Sequence, residues 1–284
     1  MPNFSIVSIM DSPNVARVAA VQLESRDDLA SNLRACAQAV TEAAARGATL
    51  VVLPENFAYF GSSQGKRACA ESLFGSPGSI RSALIRCAKQ NGVTILGGGW
   101  PELSQDPERP FNSATVVTRQ GEIAANYRKI HLFDVTLPSG AKLQESASMT
   151  AGSDIVCCNI DGFRVGLSIC YDIRFPELYR KLVDRGSEVL CVPSAFTLET
   201  GQDHWHLLVR TRAVESQSWV IAANQCGSHP GGKTTYGHSL IVDPWGRVLA
   251  EAEPGPGVIV ADLDRSVLAR VRASLPSLRH RRIN

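Results

Sequence analysis

The stretch GLSICYDIRFPELYR, residues 166–180, decides our interpretation of the fold. Its apolar beginning predicts a β-strand that ends abruptly at Cys170, and the polar, charged segment that follows has helical spacing. A cysteine on a sharp turn after a strand is open to substrate while its backbone stays in a rigid sheet, which predicts a covalent nucleophile. The alternative is a buried cysteine at a strand end, because free cysteine is among the most buried residue types.

Strands and helices alternate in both halves of the chain. Helical periodicity predicts helices over residues 28–46, 79–91, 177–185 and 203–216. Apolar runs predict strands over residues 15–23, 49–53, 93–98, 112–118, 122–128, 163–169, 189–193, 219–224, 239–243, 248–252 and 258–263. This alternation favours an α/β fold whose sheets carry helices on an outer face. Because no low-complexity linker or tandem repeat divides the chain, we expect residues 1–284 to form a single domain.

The composition argues against several classes of protein. The chain is 44% hydrophobic and 20% charged, which permits a large core and argues against disorder. Its formal net charge of +2 argues against nucleic-acid binding driven by phosphate neutralisation, so we expect no nucleic-acid partner. No apolar run approaches the length that spans a bilayer, and we expect no membrane association. Residues 1–12 lack a basic segment followed by an apolar one, which predicts no signal peptide.

The cysteine and histidine patterns do not predict a metal site. Eight cysteines are scattered without CxxC spacing, at positions 36, 69, 87, 157, 158, 170, 191 and 226. This pattern fits neither a zinc site nor a small disulfide scaffold, so we expect a protein of the reducing cytoplasm. His204 and His206 lie two residues apart on a predicted helix, where side chains do not face each other. A packed or interface helix is therefore favoured over a zinc site there.

Three further polar residues lie in loops or just past predicted strands. Glu55 follows the second strand, Lys129 follows another, and Glu145 lies in a loop. Residues beyond the carboxyl ends of strands converge on the ligand crevice of an open α/β sheet, where they would meet Cys170. Neighbouring cations favour the thiolate, a carboxylate can take and return its proton, and a fixed ammonium can stabilise a tetrahedral oxyanion.

Together these segments resemble the nitrilase superfamily of carbon–nitrogen hydrolases. The family's glutamate, lysine and cysteine motifs correspond to LPENF (53–57), YRKIHLF (127–133) and residues 166–180, and the resemblance covers about residues 15–282. It implies a four-layer αββα sandwich and a Glu–Lys–Cys triad at Glu55, Lys129 and Cys170, with Glu145 as a supporting glutamate. It also implies that neither a metal nor an organic cofactor takes part.

One branch of the superfamily resembles the chain most, and it cleaves small carboxylated amides. The segments HLFDVTLPSGAKLQESASMTAGSD (131–154), CYDIRFPELYR (170–180) and VPSAFT (192–197) carry this resemblance. The branch includes deaminated glutathione amidase and ω-amidase. We therefore expect hydrolysis of the terminal amide of a small carboxylated amide through a cysteine thioester, with release of ammonia. Deaminated glutathione is favoured over 2-oxoglutaramate-like amides as the substrate.

The alternative of a different class is a non-catalytic regulatory binder on the same fold. Loss of any one of the four polar residues would favour it. Glu55, Lys129, Glu145 and Cys170 are all present, which argues for an enzyme instead.

Residues near the predicted nucleophile are candidates for substrate binding. Arg174 lies four residues past Cys170, and its guanidinium could hold a substrate carboxylate through a bidentate pair. An ion pair between Arg174 and Glu177 is an equal alternative. We expect Tyr171, Phe196 and Thr197 to form the wall beside the thiol.

The predicted helices also point to a homodimer. Helices 177–185 and 203–216 carry apolar residues on more than one face. One face must cover the sheet, and the other could bury against a twofold-related copy, as the resemblance also implies.

Overall fold

The computed structural model describes residues 14–283 of the chain, so the expectation of no signal peptide, which concerns residues 1–12, lies outside the described residues. The helices are α1 Leu29–Ala45, α2 Ser63–Ala68, α3 Ser79–Asn91, α4 Pro176–Asp184, α5 Leu198–Ser216 and α6 Arg265–Ser274. Short 3-10 helices cover Glu145–Ala147, Cys170–Arg174 and Ser277–His280.

The strands are short, and most of them belong to two large sheets. In chain order they are β1 Val15–Gln22, β2 Leu50–Val52, β3 Thr94–Glu102, β4 Phe111–Val117, β5 Ile123–Arg128, β6 Asp134–Thr136, β7 Lys142–Gln144, β8 Cys157–Ile160, β9 Phe163–Leu167, β10 Val189–Cys191, β11 Trp219–Ala222, β12 Cys226–His229, β13 Lys233–Tyr236, β14 Leu240–Val242, β15 Val248–Glu251 and β16 Gly257–Asp264. The pairs β6–β7 and β12–β13 form separate hairpin-like ribbons.

The two six-stranded sheets have matching layouts. Their strand orders are β16-β1-β2-β3-β4-β5 and β15-β14-β11-β10-β9-β8. The central strands β1, β2 and β3 run parallel, as do β9, β10 and β11, while the outer strands are antiparallel. Parallel neighbours place their carboxyl ends at the same edge of a sheet, and the loops after β2, β9 and β10 carry Glu55, Cys170 and Ala195.

Alternating side chains of the central strands build the layers. In β1, Val18 and Ala20 join a core that also holds Leu190 of the second sheet, so the two sheets pack face to face. The intervening Ala19 and Val21 face the other way and pack in a second core formed with α1 and α3. Helices α4 and α5 cover the second sheet through buried side chains that include Leu182 and Trp205. The four-layer αββα sandwich predicted from the sequence is thus confirmed.

The longest helix begins earlier than predicted, at Leu198 rather than at residue 203. Thr197 caps it, because its hydroxyl accepts a hydrogen bond from the Thr200 N–H at 3.4 Å. Gly201, in the first turn of this helix, lies against β13, where a Cβ atom would fall 2.3 Å from that of Tyr236. The glycine therefore permits close packing and does not mark the end of a loop.

The sequence interpretation missed several short elements: α2, α6, β6, β7, β8, β12 and β13. Strands β6 and β7 have three residues each and pair only with each other, so neither carries a buried apolar run that could reveal it. Within the described residues, no helix has the length and apolar character needed to cross a membrane.

Candidate active site

Glu55 lies just past β2 and is only 4% exposed, although carboxylates are rarely so buried. The chain turns sharply here, with Asn56 at a φ of +60° and its N–H donating to the Gly99 carbonyl at 2.8 Å. Gly99 itself has a φ of +61°, and a Cβ atom on it would lie 2.6 Å from Cγ of Glu55. Only glycine leaves room for this carboxylate.

Cys170 follows β9 on a strained turn. Its φ is +48°, in the left-handed region, and its N–H donates to the Pro193 carbonyl at 2.9 Å. The fully buried Asp172 carboxylate holds the turn, because it accepts hydrogen bonds from the Ile169 N–H at 2.8 Å and from the Tyr127 hydroxyl at 2.7 Å. Sequence reasoning missed this role of Asp172, for which its place two residues after Cys170 was the only signal.

Lys129 connects two carboxylates. Its Nζ donates to Glu55 Oε1 at 3.0 Å and to Glu145 Oε2 at 2.8 Å, and its side chain is only 2% exposed. Asn112, at the start of β4, donates from Nδ2 to Glu55 Oε1 at 2.8 Å and to Glu145 Oε1 at 3.1 Å. The structure thus brings Glu55, Lys129 and Glu145 together, and Asn112 fixes both carboxylates without having been singled out in the sequence.

Backbone groups complete the positions of the two carboxylates. The Ala195 N–H, beyond β10, donates to Glu55 Oε2 at 3.0 Å. The Phe133 N–H donates to Glu145 Oε2 at 2.7 Å. Loops from both sheets therefore hold the acids that flank Lys129.

Burial and charge set the protonation of the site. Burial alone would lower the pKa of Lys129, but the Glu145 and Glu55 carboxylates hold that pKa well above its ordinary value. Burial opposes ionisation of Glu145, yet the Lys129 ammonium keeps the pKa of Glu145 below its ordinary value. The site therefore contains a charged lysine at neutral pH.

The positive charge of Lys129 acts to lower the pKa of the Cys170 thiol, as expected, but it is outweighed. Burial and then the Glu55 carboxylate raise the pKa of the Cys170 thiol well above its ordinary value, and the opposing effect of Lys129 is smaller. The thiol is protonated at rest. A base must remove its proton as the reaction proceeds, and the adjacent Glu55 is placed to do so.

A cavity of about 230 Å³ opens onto these groups. It is lined by Glu55, Asn56, Phe60, Gly61, Ser63, Lys66, Lys129, Phe133, Leu143, Gln144, Glu145, Ser148, Met149, Cys170, Ala195, Thr197, Lys233, Thr234 and Thr235. A wider groove of about 710 Å³ lies between α1 and α3, but neither a thiol nor a carboxylate lines it. The smaller cavity is therefore the candidate active site, because the thiol, the lysine and the carboxylates line it.

The predicted substrate-binding residues are distributed around this cavity. Thr197 lines it, while Tyr171 and Phe196 line a small adjoining pocket behind Cys170. Arg174 lines neither: its guanidinium lies over the Phe196 ring at 5.2 Å. The structure thus places Arg174 outside the space where we expected it to hold a carboxylate.

The alternative role of Arg174 is also not seen. In the described part of the chain it forms no ion pair with Glu177, and its Nη2 lies 3.3 Å from Nδ1 of His204 instead. The cavity contains two other cations, Lys66 and Lys233, which sequence reasoning missed because their segments, α2 and β13, were not predicted.

Two histidines on the outer surface meet a glutamate. Glu251 Oε1 lies 2.9 Å from His206 Nε2 and 2.7 Å from His238 Nδ1. The three side chains each offer an atom that could bind a metal ion, and these atoms lie within 4.8 Å of one another. Hydrogen bonds through Glu251 hold the two imidazoles together. None of the three lines the cavity.

Comparison with known proteins identifies the family. The sequence model of the carbon–nitrogen hydrolase family matches residues 17–273. Deaminated glutathione amidase of Synechocystis is 42% identical over 266 residues, which cover 93% of this chain and 97% of that protein. The chloroplastic omega-amidase of Arabidopsis thaliana is 39% identical, over 92% of this chain and 71% of its own length.

A solved structure agrees with this assignment. Saccharomyces cerevisiae Nit3, a member of branch 10 of the nitrilase superfamily, superposes with a TM-score of 0.84 at 32% identity, covering 95% of this chain and 97% of Nit3. The predicted resemblance is confirmed. The chain belongs to the carbon–nitrogen hydrolase family of the nitrilase superfamily, and it is an enzyme that hydrolyses amides.

Proposed function

We propose that the enzyme hydrolyses the amide of a small carboxylated substrate, with deaminated glutathione favoured, through a thioester on Cys170. The observation that carries the proposal is the meeting of Cys170, Glu55, Lys129 and Glu145 at one cavity. The similarity to a deaminated glutathione amidase and to an omega-amidase supports the choice of substrate. Omega-amidase activity on 2-oxoglutaramate-like amides is the second candidate.

The first half of the reaction forms the thioester. Glu55 takes the Cys170 proton as the sulfur attacks the amide carbonyl, and the carbonyl oxygen becomes an oxyanion. The Lys129 ammonium and the Tyr171 N–H stabilise this oxyanion; that N–H donates to no other acceptor in the described part of the chain. The C–N bond then breaks, and protonated Glu55 gives its proton to the leaving nitrogen.

The second half regenerates the thiol. Glu55 removes a proton from a water molecule while the oxygen of that water attacks the thioester carbonyl. The C–S bond breaks when the second tetrahedral intermediate collapses. The sulfur then recovers its proton from Glu55. Glu145 supports Lys129 and positions the water, and it keeps the ammonium charged in a buried site.

The leaving group depends on the substrate. A primary ω-amide releases ammonia, as expected from the sequence. In deaminated glutathione the amide nitrogen belongs to the cysteinylglycine portion, so the same steps release that dipeptide. A general assay must therefore follow the carboxylic acid product.

The test is a panel of amides assayed by mass spectrometry of the acid product. It contains deaminated glutathione, 2-oxoglutaramate, a neutral aliphatic amide and a nitrile, with Cys170→Ala as the control. We expect the highest kcat/KM for deaminated glutathione and no turnover by the variant. Preference for the nitrile or for the neutral amide would overturn the substrate class while leaving the triad standing.

A thiol titration separates the enzyme from a regulatory binder. We expect one thiol, that of Cys170, to react with an electrophilic substrate analogue far faster than the other seven. Equal reactivity of all the thiols, together with no turnover of any amide, would favour the non-catalytic binder.

We also propose a homodimer formed through α5. Its buried face carries Trp205 and Val209, whereas Leu207 and Val214, seven residues apart on one outward face, are 66% and 47% exposed. A second copy packed there would cover them. Light scattering at micromolar concentration should give twice the 30.6 kDa chain mass, and a species of 30.6 kDa alone would refute the dimer.

The cytoplasm is the proposed compartment. All eight cysteines are free, which suits a reducing environment. Cell fractionation with an antibody to the protein would test this, and recovery from an oxidising compartment would contradict it.

A further inference from the structure

We propose that Lys66 and Lys233 form an anion-binding subsite that holds the carboxylate of the substrate. This inference rests on the proposed function, because it assigns the part of the cavity that recognises a carboxylated amide. Both lysines line the cavity that contains Cys170. Lys66 lies in the last turn of α2, and Lys233 is the first residue of β13.

Neither lysine is paired with a counterion among the residues that the structure describes. In residues 14–283 neither ammonium takes part in an ion pair or donates a side-chain hydrogen bond. Lys129 differs, because it forms ion pairs with Glu55 and Glu145. Of the three lysines around the cavity, only Lys66 and Lys233 therefore remain available to an incoming carboxylate.

The electrostatics favour an anion between them. Burial lowers the pKa of Lys66; the Glu145 and Glu55 carboxylates act to raise it, and the positive charges of Lys233 and Lys129 make smaller contributions that lower it. Burial also lowers the pKa of Lys233. A bound carboxylate would relieve both the desolvation and the mutual repulsion of the two cations, since an opposite charge stabilises the charged form.

The backbone fixes the position of α2. Ser62 caps this helix, accepting a hydrogen bond from the Gly65 N–H at 3.1 Å. Gly65 lies so close to Tyr59 that a Cβ atom there would fall 1.7 Å from the phenolic oxygen. Lys66 is therefore carried by a turn with little freedom to move away from the cavity.

An aromatic platform positions the second lysine. Lys233 Nζ lies 5.7 Å from the centre of the Phe60 ring, and Phe60 stacks on His229 at 3.9 Å. Phe60 itself lines the cavity. The ammonium thus lies over an aromatic face at the cavity wall, where a carboxylate can reach it.

The first test compares substrate preference in the Lys66→Met and Lys233→Met variants. The quantity measured is kcat/KM for a carboxylated ω-amide divided by kcat/KM for the neutral amide of the same length. A hydrogen bond to a charged group is worth enough that we expect this ratio to fall about 10- to 100-fold in each variant. Lys89→Met, which removes an exposed lysine from α3 outside the cavity, should keep the wild-type ratio.

A second test does not depend on the natural substrate. Iodoacetate and iodoacetamide both alkylate the Cys170 thiolate, but only iodoacetate carries a carboxylate, so the thiol pKa cancels in the ratio of their rates. Peptide mass spectrometry measures the two rates. We expect the iodoacetate-to-iodoacetamide ratio at Cys170 to exceed that of free cysteine and to fall in both lysine variants, while Lys89→Met leaves it unchanged.

The outcomes separate the subsite from the proposed function. Unchanged ratios in Lys66→Met and Lys233→Met, in an enzyme that hydrolyses carboxylated amides, would overturn the subsite and leave the function standing. Loss of the iodoacetate preference in these variants, in a protein that hydrolyses none of the amides, would support the subsite and overturn the function. Arg174→Lys is assayed in the same way. A fall of the kcat/KM ratio in this variant, with no change in the two lysine variants, would assign the carboxylate to Arg174 instead.

Discussion

Replacing Gly99 by alanine should inactivate the enzyme while leaving it folded. Gly99 is adjacent in sequence to none of the reacting groups, but its backbone lies against the proposed base. A Cβ atom at this position would lie 2.6 Å from Cγ and 2.8 Å from Cα of Glu55, and 3.0 Å from Oδ1 of Asn112. The new methyl group would therefore press on the residue that must take the thiol proton.

The structure gives the size of the effect. Ordinary van der Waals contact begins near 3.4 Å, so Glu55 must move by about 0.8 Å to accept the new atom. A misplacement of about 1 Å in a catalytic group can lower the rate about 100-fold. The backbone of Gly99 is left-handed, with a φ of +61°. Any residue with a Cβ atom in this conformation lowers the free energy of unfolding by about 1–2 kcal/mol.

Gly92→Ala is the matched control. Gly92 ends α3 with a φ of +65°, and nothing lies within 4 Å of its missing Cβ. Gly92→Ala should therefore lose only the few degrees of thermal stability that the backbone penalty costs, whereas Gly99→Ala should lose more, because its Cβ atom also clashes with Glu55. In an assay of acid product, only Gly99→Ala should lose turnover, by about 100-fold. Equal turnover of the two variants would refute the claim that Gly99 positions Glu55.

Three further predictions concern charge and protonation. Glu55→Gln should lose at least about 100-fold in turnover, because positioned proton transfer contributes about 10²–10⁴-fold. If Glu55→Gln keeps near-normal turnover while Glu145→Gln is inactive, then Glu145 is the base and Glu55 supports Lys129. Lys129→Arg should lose about 10²–10³-fold, since a guanidinium fork cannot replace an ammonium held 3.0 and 2.8 Å from two carboxylates, and a fully active variant would contradict that fit. Burial raises the pKa of Cys158 from 9.0 to about 11, so its contribution to stability is complete below pH 9 and is lost as the pH rises towards 11. The melting temperature should fall over that range, less steeply in Cys158→Ala, and an identical slope would refute this contribution.

The sequence predicted much of the fold because its central strands are apolar on both faces. In β1, Val18 faces the other sheet while Ala19 faces the helices, so the whole run is hydrophobic and marks a buried strand. The ends of such runs also located Glu55 and Cys170. Strands such as β6 and β13 are short and partly exposed, and their pairing depends on distant partners that periodicity does not reveal.

The part of the site that sequence reasoning missed depends on tertiary contacts. Asn112 hydrogen bonds to Glu55 and Glu145, which lie 57 and 33 residues away in the chain. Lys66 reaches the cavity from a six-residue helix that no strong pattern announces. Nearness in sequence suggested Arg174 for the same task, but the chain turns after Cys170 and places that guanidinium over the Phe196 ring, outside the cavity.

The central claim is that Cys170 carries the acyl group during turnover. The most direct measurement is intact-mass and peptide mass spectrometry of enzyme quenched with acid during hydrolysis of a carboxylated amide. We predict one adduct per chain, with the mass of the acyl portion, on the peptide that contains Cys170 and absent from Cys170→Ala. An adduct on any other cysteine, or full activity of Cys170→Ala, would contradict the account.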